Sequence, residues 1–359
     1  MLDSVTIQSY LGEYSAEIYE REESIFERKE VLNKISKNSF LIIDSKVSQL
    51  YPEIVNFWPS NLILEIEAME INKELSTCEK IIKNLLAESF KKDMKLVAIG
   101  GGIIQDITAF SASILYRGVD WIFIPTTLLS QADSCIGSKT SINFSGVKNI
   151  LGGFYPPKKI YCFLDFLETL PEDDIKSGIG EILHYYIVDN SLSAVRLMND
   201  YEKIIQDRRL LESHVAESLN IKKKMVQIDE FDQNQRRVFN YGHTFGHAIE
   251  VMSDFEISHG QAVTLGMDIA NFVSHSLGMI DEERFLRLKN ILLKNIPNYS
   301  LKESRVDEFI GLMKKDKKSK KGKIVCILPQ KDEVAVVEIS DIKKLKTLIK
   351  NYFMIKGGS

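Results

Sequence analysis

The chain of 359 residues is too long for one ordinary hydrophobic core, so two domains are expected. It is 44% hydrophobic and 27% charged, as soluble globular proteins are. A net charge of −4 and a pI near 6.0 give no electrostatic reason to expect a nucleic acid or a membrane as partner.

The cysteines and the N-terminus favour a cytoplasmic protein. Four cysteines are widely scattered without a Cys-x-x-Cys pair, which is typical of reduced and mostly buried thiols. The first residues lack a basic region followed by an apolar core, so no signal peptide is expected. The sequence contains no run of ~18 apolar residues, so no transmembrane helix is expected.

Residues 1–170 alternate short apolar runs with helical periodicity, which predicts a doubly wound parallel sheet. The run 40–44 ends in Asp44, as a buried parallel strand does when it reaches the carboxyl edge of its sheet. Strands are predicted near 5–10 and at 40–44, 62–66, 95–99 and 121–124, and helices at 22–33, 46–56, 73–91 and 104–116.

Three consecutive glycines, Gly100, Gly101 and Gly102, stand between a predicted strand and a predicted helix. Bare backbone N–H groups at a helix N-terminus can hold a pyrophosphate, although this is not the Gly-x-Gly-x-x-Gly pattern and is weak evidence alone. Asp44 suits either a ribose contact or a helix N-cap, and the sequence alone favours the N-cap.

The segment 130–165 is polar and rich in glycine, which is typical of a functional loop on a rigid scaffold. It contains Lys139 and Lys148, which suit phosphate binding as point charges. The alternative for each, and the commoner one, is an ordinary surface lysine.

From residue 171 onward helical periodicity dominates, so we predict an α/β domain at 1–170 and a mostly α-helical domain at 171–359. Residues 314–323 hold seven lysines and one aspartate, which indicates a solvated loop or one that closes over an anionic substrate. Helices are predicted at 173–188, 191–206, 208–229, 236–252, 260–277, 281–295, 304–315 and 339–353, with extended stretches at 324–328 and 334–339.

Three of the six histidines lie within 17 positions of this second half. His243 and His247 share one helix face, and His259 follows before a glycine. Two imidazoles from one helix and a third from the next element suit a transition metal such as zinc, with ordinary core or surface histidines as the alternative. Glu181, on a predicted apolar helix, is costly to bury unpaired and is the candidate anionic ligand. His184 lies on the same face, where a catalytic and a structural role are both open.

Taken together, these stretches resemble the 3-dehydroquinate synthase family of sugar-phosphate cyclases, from Asp44 to Pro329. The order and spacing of several motifs carry the resemblance. They are Gly-Gly-Gly-Ile-Ile-Gln-Asp (100–106), Tyr-Arg-Gly (116–118), Pro-Thr-Thr-Leu-Leu-Ser-Gln-Ala-Asp-Ser (125–134), Gly-Val-Lys-Asn (146–149), Asn-Tyr-Gly-His-Thr-Phe-Gly-His-Ala-Ile-Glu (240–250) and His-Gly-Gln-Ala-Val (259–263).

The resemblance implies a Rossmann-like NAD domain, a helical metal domain and an active site in the cleft between them. It implies a divalent metal, Zn or Co, on Glu181, His243 and His259. The implied NAD contacts are Asp44, Glu70, Lys73, Gly100, Gly101, Gly102, Asp106, Thr126, Thr127, Lys148 and Thr169.

The resemblance also implies groups that hold the substrate. Those matching the phosphate contacts are Lys139, Asn149, His247 and Lys318, with Arg117 reaching in from the neighbouring subunit of a homodimer. Lys222 and Arg236 match the pair that holds the substrate carboxylate, and Asp133 and Asn240 match partners of the sugar hydroxyls.

The implied reaction is transient oxidation by NAD, β-elimination of phosphate, re-reduction and an intramolecular aldol addition, without net redox change. The cationic pair Lys222 and Arg236 favours a seven-carbon acid, as in the shikimate pathway. His184 stands where the family usually has a lysine, and this leaves open another sugar phosphate. Gln105, Ser138, Gly180, Tyr186 and Gln261 are further departures. A metal-dependent polyol dehydrogenase and a non-catalytic homologue are the remaining alternatives.

Overall fold

The computed structural model describes residues 3–19, 25–189, 192–315 and 322–357. Within them the chain divides into two compact units, one of residues 1–171 and 207–231 and one of residues 172–206 and 232–359. Each unit has its own hydrophobic interior. The first break lies beside the predicted boundary, whereas 207–231, predicted in the second domain, group with the first unit.

The first unit is built on a seven-stranded, mostly parallel sheet in the order β1-β2-β9-β6-β5-β3-β4, in which only β1 is antiparallel to its neighbour. The central strands are apolar on both faces because helices cover both sides. The sheet strands are β1 (Asp3–Ser9), β2 (Gly12–Tyr19), β3 (Ser39–Asp44), β4 (Ile63–Ile66), β5 (Lys95–Gly100), β6 (Trp121–Pro125) and β9 (Lys159–Phe163), and a separate hairpin is β7 (Lys139–Phe144) with β8 (Val147–Phe154).

The helices of this unit are α1 (Lys29–Ser36), α2 (Ser45–Leu50), α3 (Pro52–Val55), α4 (Leu75–Ala87), α5 (Gly102–Ile114) and α9 (Glu212–Ile228). Helix α9 joins the first unit because it packs on β1 and on the turn at 130–134. There Ser218 Oγ donates to the carbonyl of Ala132 (2.9 Å), and Asn220 donates to Asp3 (2.8 Å).

The second unit is mostly helical, as predicted. Its helices are α6 (Glu172–Val188), α7 (Ser193–Asn199), α8 (Tyr201–Gln206), α10 (His243–Met252), α11 (His259–Ser276), α12 (Glu282–Leu292), α13 (Val306–Lys315) and α14 (Ile342–Gly357), and its one described hairpin is β10 (Ile324–Gln330) with β11 (Glu333–Ile339). Helix α11 is buried along most of its length and packs against α6, α10 and α12.

The predicted fold class is confirmed: a doubly wound, mostly parallel sheet and a mostly helical second part. The prediction of a long loop at 130–165 is wrong, because that segment contains β7, β8 and β9. Its glycines lie within or beside strands, and Gly152 sits opposite Ser141 in the hairpin. No helix in the described residues is long and apolar enough to cross a membrane.

Candidate metal and nucleotide sites

Two helix crossings in the second unit bring the predicted metal ligands together. Helix α6 meets α11 at a pair of glycines, where a Cβ added to Gly180 would lie 2.1 Å from the carbonyl oxygen of Gly260. Any side chain there would force the helices apart. Glu181 follows the first glycine and His259 precedes the second, so the close crossing sets the carboxylate beside the imidazole.

The start of α10 is held against α11 in the same way. Gly242, the residue before the helix, has a left-handed backbone (φ 83°), which favours glycine. A Cβ on Gly266 of α11 would lie 2.1 Å from the carbonyl oxygen of Gly242. His243, the first residue of α10, is thereby turned toward the α6–α11 crossing.

The three predicted ligands converge on one carboxylate oxygen. Oε1 of Glu181 lies 3.3 Å from Nε2 of His259 and 3.7 Å from Nε2 of His243. One ligand atom from each residue lies within 4.8 Å of the others. Two imidazole nitrogens and one carboxylate oxygen around a common point are a donor set that zinc or cobalt accepts, with positions left for other ligands.

The buried state of the carboxylate is a direct test of whether these residues fit a cation. The Glu181 side chain is 2% exposed, and its Oε1 makes no hydrogen bond within the described residues. A buried carboxylate oxygen without a hydrogen bond is costly, and a metal ion offsets that cost. The residues present therefore fit a divalent cation.

The carboxylate and one of the two imidazoles are in the protonation state that a metal requires. Burial opposes the charged form of Glu181, but His243, His184 and His259 together lower its pKa well below the usual range. Burial lowers the pKa of His243 well below its ordinary value, which leaves a neutral imidazole with a lone pair to donate. Burial opposes the charge on His259, but Glu250 and Glu181 raise its pKa well above the ordinary value, so a metal must displace one ring proton there.

Two more histidines and one acid adjoin the cluster. His184 is fully buried, neither ring nitrogen has a hydrogen bond in the part of the chain that the structure describes, and its Nδ1 lies 3.6 Å from Oε2 of Glu181. The His247 ring lies 5.5 Å from that of His243, centroid to centroid. Glu250, which was not among the predicted site residues, contacts Nδ1 of His259 at 3.2 Å. Its position seven residues after His243, on the same helix face, was the available signal.

The glycine turn of the first unit joins β5 to α5 as predicted. Thr126 donates its backbone N–H to the carbonyl of Gly100 (3.0 Å), and a Cβ on Gly101 would lie 2.9 Å from the Thr127 side chain. The turn thus runs close to the end of β6, with the N-terminus of α5 at Gly102. Asp44 caps α2 by accepting from the Lys46 N–H (3.1 Å), the N-cap that the sequence favours.

A polar network connects other predicted nucleotide contacts to the β7–β8 hairpin. Lys73 pairs with Asp106 at 2.6 Å and donates to Asn149 Oδ1 at 2.8 Å. Lys148 lies 3.8 Å from Glu70, in a half-exposed ion pair. Asn149, predicted among the phosphate contacts, therefore lies with the predicted NAD contacts.

The remaining predicted residues are spread over both units. Lys222 is buried on α9, and its ammonium contacts Asp133 at 2.7 Å, so two predicted substrate groups pair with one another. The side-chain hydroxyl of Thr169 lies 2.9 Å from that of Tyr51. Lys139 and Arg117 are exposed in the first unit, Arg236 is buried and Asn240 half-buried in the second, and Lys318 lies outside the described residues.

Comparison with known proteins points to one family. A model of the N-terminal part of 3-dehydroquinate synthase matches residues 63–177, and a model of its C-terminal part matches residues 178–319. A curated 3-dehydroquinate synthase of Acetivibrio thermocellus is 39% identical over 287 residues, which cover 79% of this chain and 80% of that protein. Another, from Dictyoglomus thermophilum, is 35% identical over 350 residues, covering 95% and 97%.

A solved structure gives the same fold. It is a 2-deoxy-scyllo-inosose synthase complexed with carbaglucose-6-phosphate, NAD+ and Co2+, and it matches with a TM-score of 0.81 at 20% identity over 97% of this chain and 99% of that one. At that identity the likeness concerns the fold.

Proposed function

The chain belongs to the 3-dehydroquinate synthase family, and from that premise we propose that it converts a 3-deoxy-heptulosonate 7-phosphate to 3-dehydroquinate and phosphate, with NAD and a divalent metal. The observation that supports this most directly is the buried carboxylate of Glu181, whose Oε1 has no hydrogen bond within the described residues and faces the nitrogens of His243 and His259. A bound cation would offset the cost of burying that oxygen.

The cofactors supply what the side chains lack. A bound metal acts as a Lewis acid toward a substrate hydroxyl, and bound NAD accepts and returns a hydride. Glu181, His243 and His259 hold the metal. The backbone N–H groups at the N-terminus of α5, with Thr126 and Thr127, receive the dinucleotide, since they form a glycine turn at the carboxyl edge of a parallel sheet.

The protein's own groups bind and orient the substrate. Lys139, Asn149, His247 and Lys318 hold the phosphate, which leaves once a neighbouring C–H is acidified. Lys222 and Arg236 hold the carboxylate. The Lys222–Asp133 contact supports this role because it fixes the position of the buried ammonium group without a ligand.

His184 favours a second candidate, a cyclase of the same class that acts on another sugar phosphate. The ring is fully buried, and no described residue makes a hydrogen bond to either nitrogen. It is shorter than the family's lysine, so it reaches substrate hydroxyls less readily. The carboxylate-directed pair Lys222 and Arg236 keeps the seven-carbon acid as the first choice.

One assay separates these candidates. The purified protein, with NAD+ and Zn2+ or Co2+, is incubated with the heptulosonate phosphate and in parallel with sedoheptulose 7-phosphate, and both phosphate and NADH are followed. We expect phosphate release only with the acid and no accumulation of NADH. Release only with sedoheptulose 7-phosphate would select the second candidate, and NADH formed in step with product would identify a polyol dehydrogenase.

We further propose a cytoplasmic homodimer in which Arg117 serves the partner's site. Four buried free cysteines support a reducing compartment. Arg117 is exposed on a left-handed turn with Tyr116 and Gly118. Mixing Arg117→Ala with His243→Ala chains should restore activity to two inactive variants, because one site of the mixed dimer is then complete. No recovery after subunit exchange would contradict sharing.

A further inference from the structure

Glu250 lies on the metal-facing side of α10, and the function proposed above gives it no role. Its Oε2 is 3.2 Å from Nδ1 of His259, while Nε2 of the same ring lies 3.3 Å from Oε1 of Glu181. The imidazole is therefore held between two carboxylates, one at each nitrogen.

We propose that Glu250 is the positioning residue of the metal site: it accepts the Nδ1–H of His259 and so presents the Nε2 lone pair of that ring to the metal. The proposal rests on the metal site of the proposed function. A hydrogen bond to one ring nitrogen fixes which nitrogen carries the proton and how the ring is turned. It also makes the ligand more basic.

The other imidazole ligand is arranged in the same way. Nδ1 of His243 lies 3.3 Å from the backbone carbonyl of Tyr241, and its Nε2 faces Glu181. Both rings thus turn Nδ1 outward to an acceptor and Nε2 inward to the common oxygen. Glu250 does for His259 what a backbone carbonyl does for His243.

His259 has the greater need of such an anchor. It is the first residue of α11, and 34% of its side chain is exposed, against 14% for His243, so packing restrains its ring less. The Glu250 side chain is only 12% exposed, which makes its charge poorly hydrated and its contact with the imidazole correspondingly strong.

A second metal ion is the competing explanation, because His247, Glu250 and His259 also offer ligand atoms within 4.8 Å of one another. That site would take Nδ1 of His259 while Nε2 binds the first ion. Both nitrogens would then have to lose their protons, as a bridging imidazolate does. A hydrogen bond from Nδ1–H requires no such ionisation, and the 3.2 Å between Nδ1 of His259 and Oε2 of Glu250 is a hydrogen-bond distance. Both points favour a positioning role for Glu250 over a second metal ion.

The test is metal affinity, measured without turnover. Metal-free wild type, Glu250→Ala, Glu250→Gln and Glu250→Asp are titrated with Zn2+ against a competing chelator, with Co2+ absorption spectra as a second readout. We expect Glu250→Ala to bind Zn2+ about 10–100-fold more weakly. Glu250→Gln should bind better than Glu250→Ala, because its amide oxygen can accept the same hydrogen bond. Glu283→Ala, an exposed change on α12, is the matched control and should bind as wild type does.

The outcomes separate this inference from the metal site itself. His243→Ala is titrated alongside: if it loses zinc while Glu250→Ala binds as wild type does, the site stands and the positioning role is overturned. Two zinc ions per wild-type chain, falling to one in Glu250→Ala, would overturn it in favour of the second ion. Should Glu250→Ala fail to fold, Glu250→Asp decides, because it keeps the charge but withdraws the oxygen, and wild-type affinity there contradicts the proposal.

Discussion

Buried charges are handled in opposite ways in the two units. In the first unit, Lys73 meets Asp106 at 2.6 Å and Lys222 meets Asp133 at 2.7 Å, so each carboxylate has a cationic partner within hydrogen-bond distance. In the second, the imidazole nitrogens around Glu181 lie at 3.3–3.7 Å, and its Oε1 has no hydrogen bond among the described residues.

This difference distinguishes ion pairs that are complete within the protein from the cluster of Glu181, His243 and His259, which we propose as a metal site. Ammonium and carboxylate groups in contact neutralise each other, so the first unit's pairs are stable without a bound ion. Imidazole nitrogens 3.3–3.7 Å from the oxygens of a buried carboxylate leave room for an ion with bonds of ~2 Å to each ligand.

The largest effect is expected from removing a proposed ligand of the metal site. His243→Ala should lose its metal and lower the rate of phosphate release at least a thousandfold, about 4 kcal/mol in the barrier. The fold should persist because the ring is at the start of α10 and is not part of a hydrophobic core. Elemental analysis and a phosphate assay check this, with circular dichroism as the fold control. A full metal complement in the variant would contradict the ligand assignment.

In the first unit, breaking a complete pair should destabilise the protein with no metal involved. Asp106→Leu leaves the buried ammonium of Lys73 without its carboxylate and should lower the free energy of unfolding by about 3–5 kcal/mol. Urea denaturation in the presence of a chelator measures this. The double variant Lys73→Met/Asp106→Leu should recover most of the loss. Glu79→Ala, which breaks the exposed pair with Lys83, is the control and should change nothing measurable.

Replacing a buried carboxylate of the second unit should change the free energy of unfolding in the opposite direction. In chelator, Glu181→Leu removes the attraction of the carboxylate to the imidazoles, but it also removes a buried charge whose Oε1 has no hydrogen bond among the described residues. We expect the second effect to be larger and the free energy of unfolding to rise by about 1–3 kcal/mol. Zinc at about 1,000 times its Kd should then stabilise wild type by about 4 kcal/mol and leave the variant unchanged. Destabilisation of the variant in chelator would mean that the imidazoles already satisfy the carboxylate.

The sequence predicted those parts of both units that depend on local pattern. The apolar runs at 40–44, 95–99 and 121–124 became central strands because a strand covered on both faces needs no polar residues. The hairpin β7–β8 was missed because its outer strand is largely exposed and contains two adjacent glycines, so the local pattern resembles a loop.

The sequence pattern did not predict how distant segments pack together. Helix α9 has ordinary helical periodicity, and nothing local indicates that it packs on β1 of the first unit. The Lys222–Asp133 pair joins positions 89 residues apart. Glu181, His243 and His259 were chosen from residue types and a resemblance, but their convergence depends on the glycine crossings of α6, α10 and α11.

A smaller effect is expected at the substrate carboxylate. Arg236→Ala should raise KM for the heptulosonate phosphate about 10–100-fold, because a charge-assisted contact is lost, and should leave NAD affinity and zinc content unchanged. Arg236→Lys is the control that keeps the charge and should fall between wild type and alanine. Steady-state kinetics and NAD binding by fluorescence check this. Unchanged kinetics would remove the reason for preferring an acid substrate.

The smallest expected effect concerns His184, which adjoins the proposed metal site. Among the described residues, neither of its buried ring nitrogens has a hydrogen-bond partner, and the ring packs on Tyr185 and Phe239. His184→Phe keeps the ring contacts and removes the unbonded nitrogens, so in chelator it should raise the free energy of unfolding by up to about 1 kcal/mol. If the variant is instead destabilised in chelator, His184 already bonds Glu181 in solution. The second unit would then resemble the first, with its carboxylate satisfied before any metal binds.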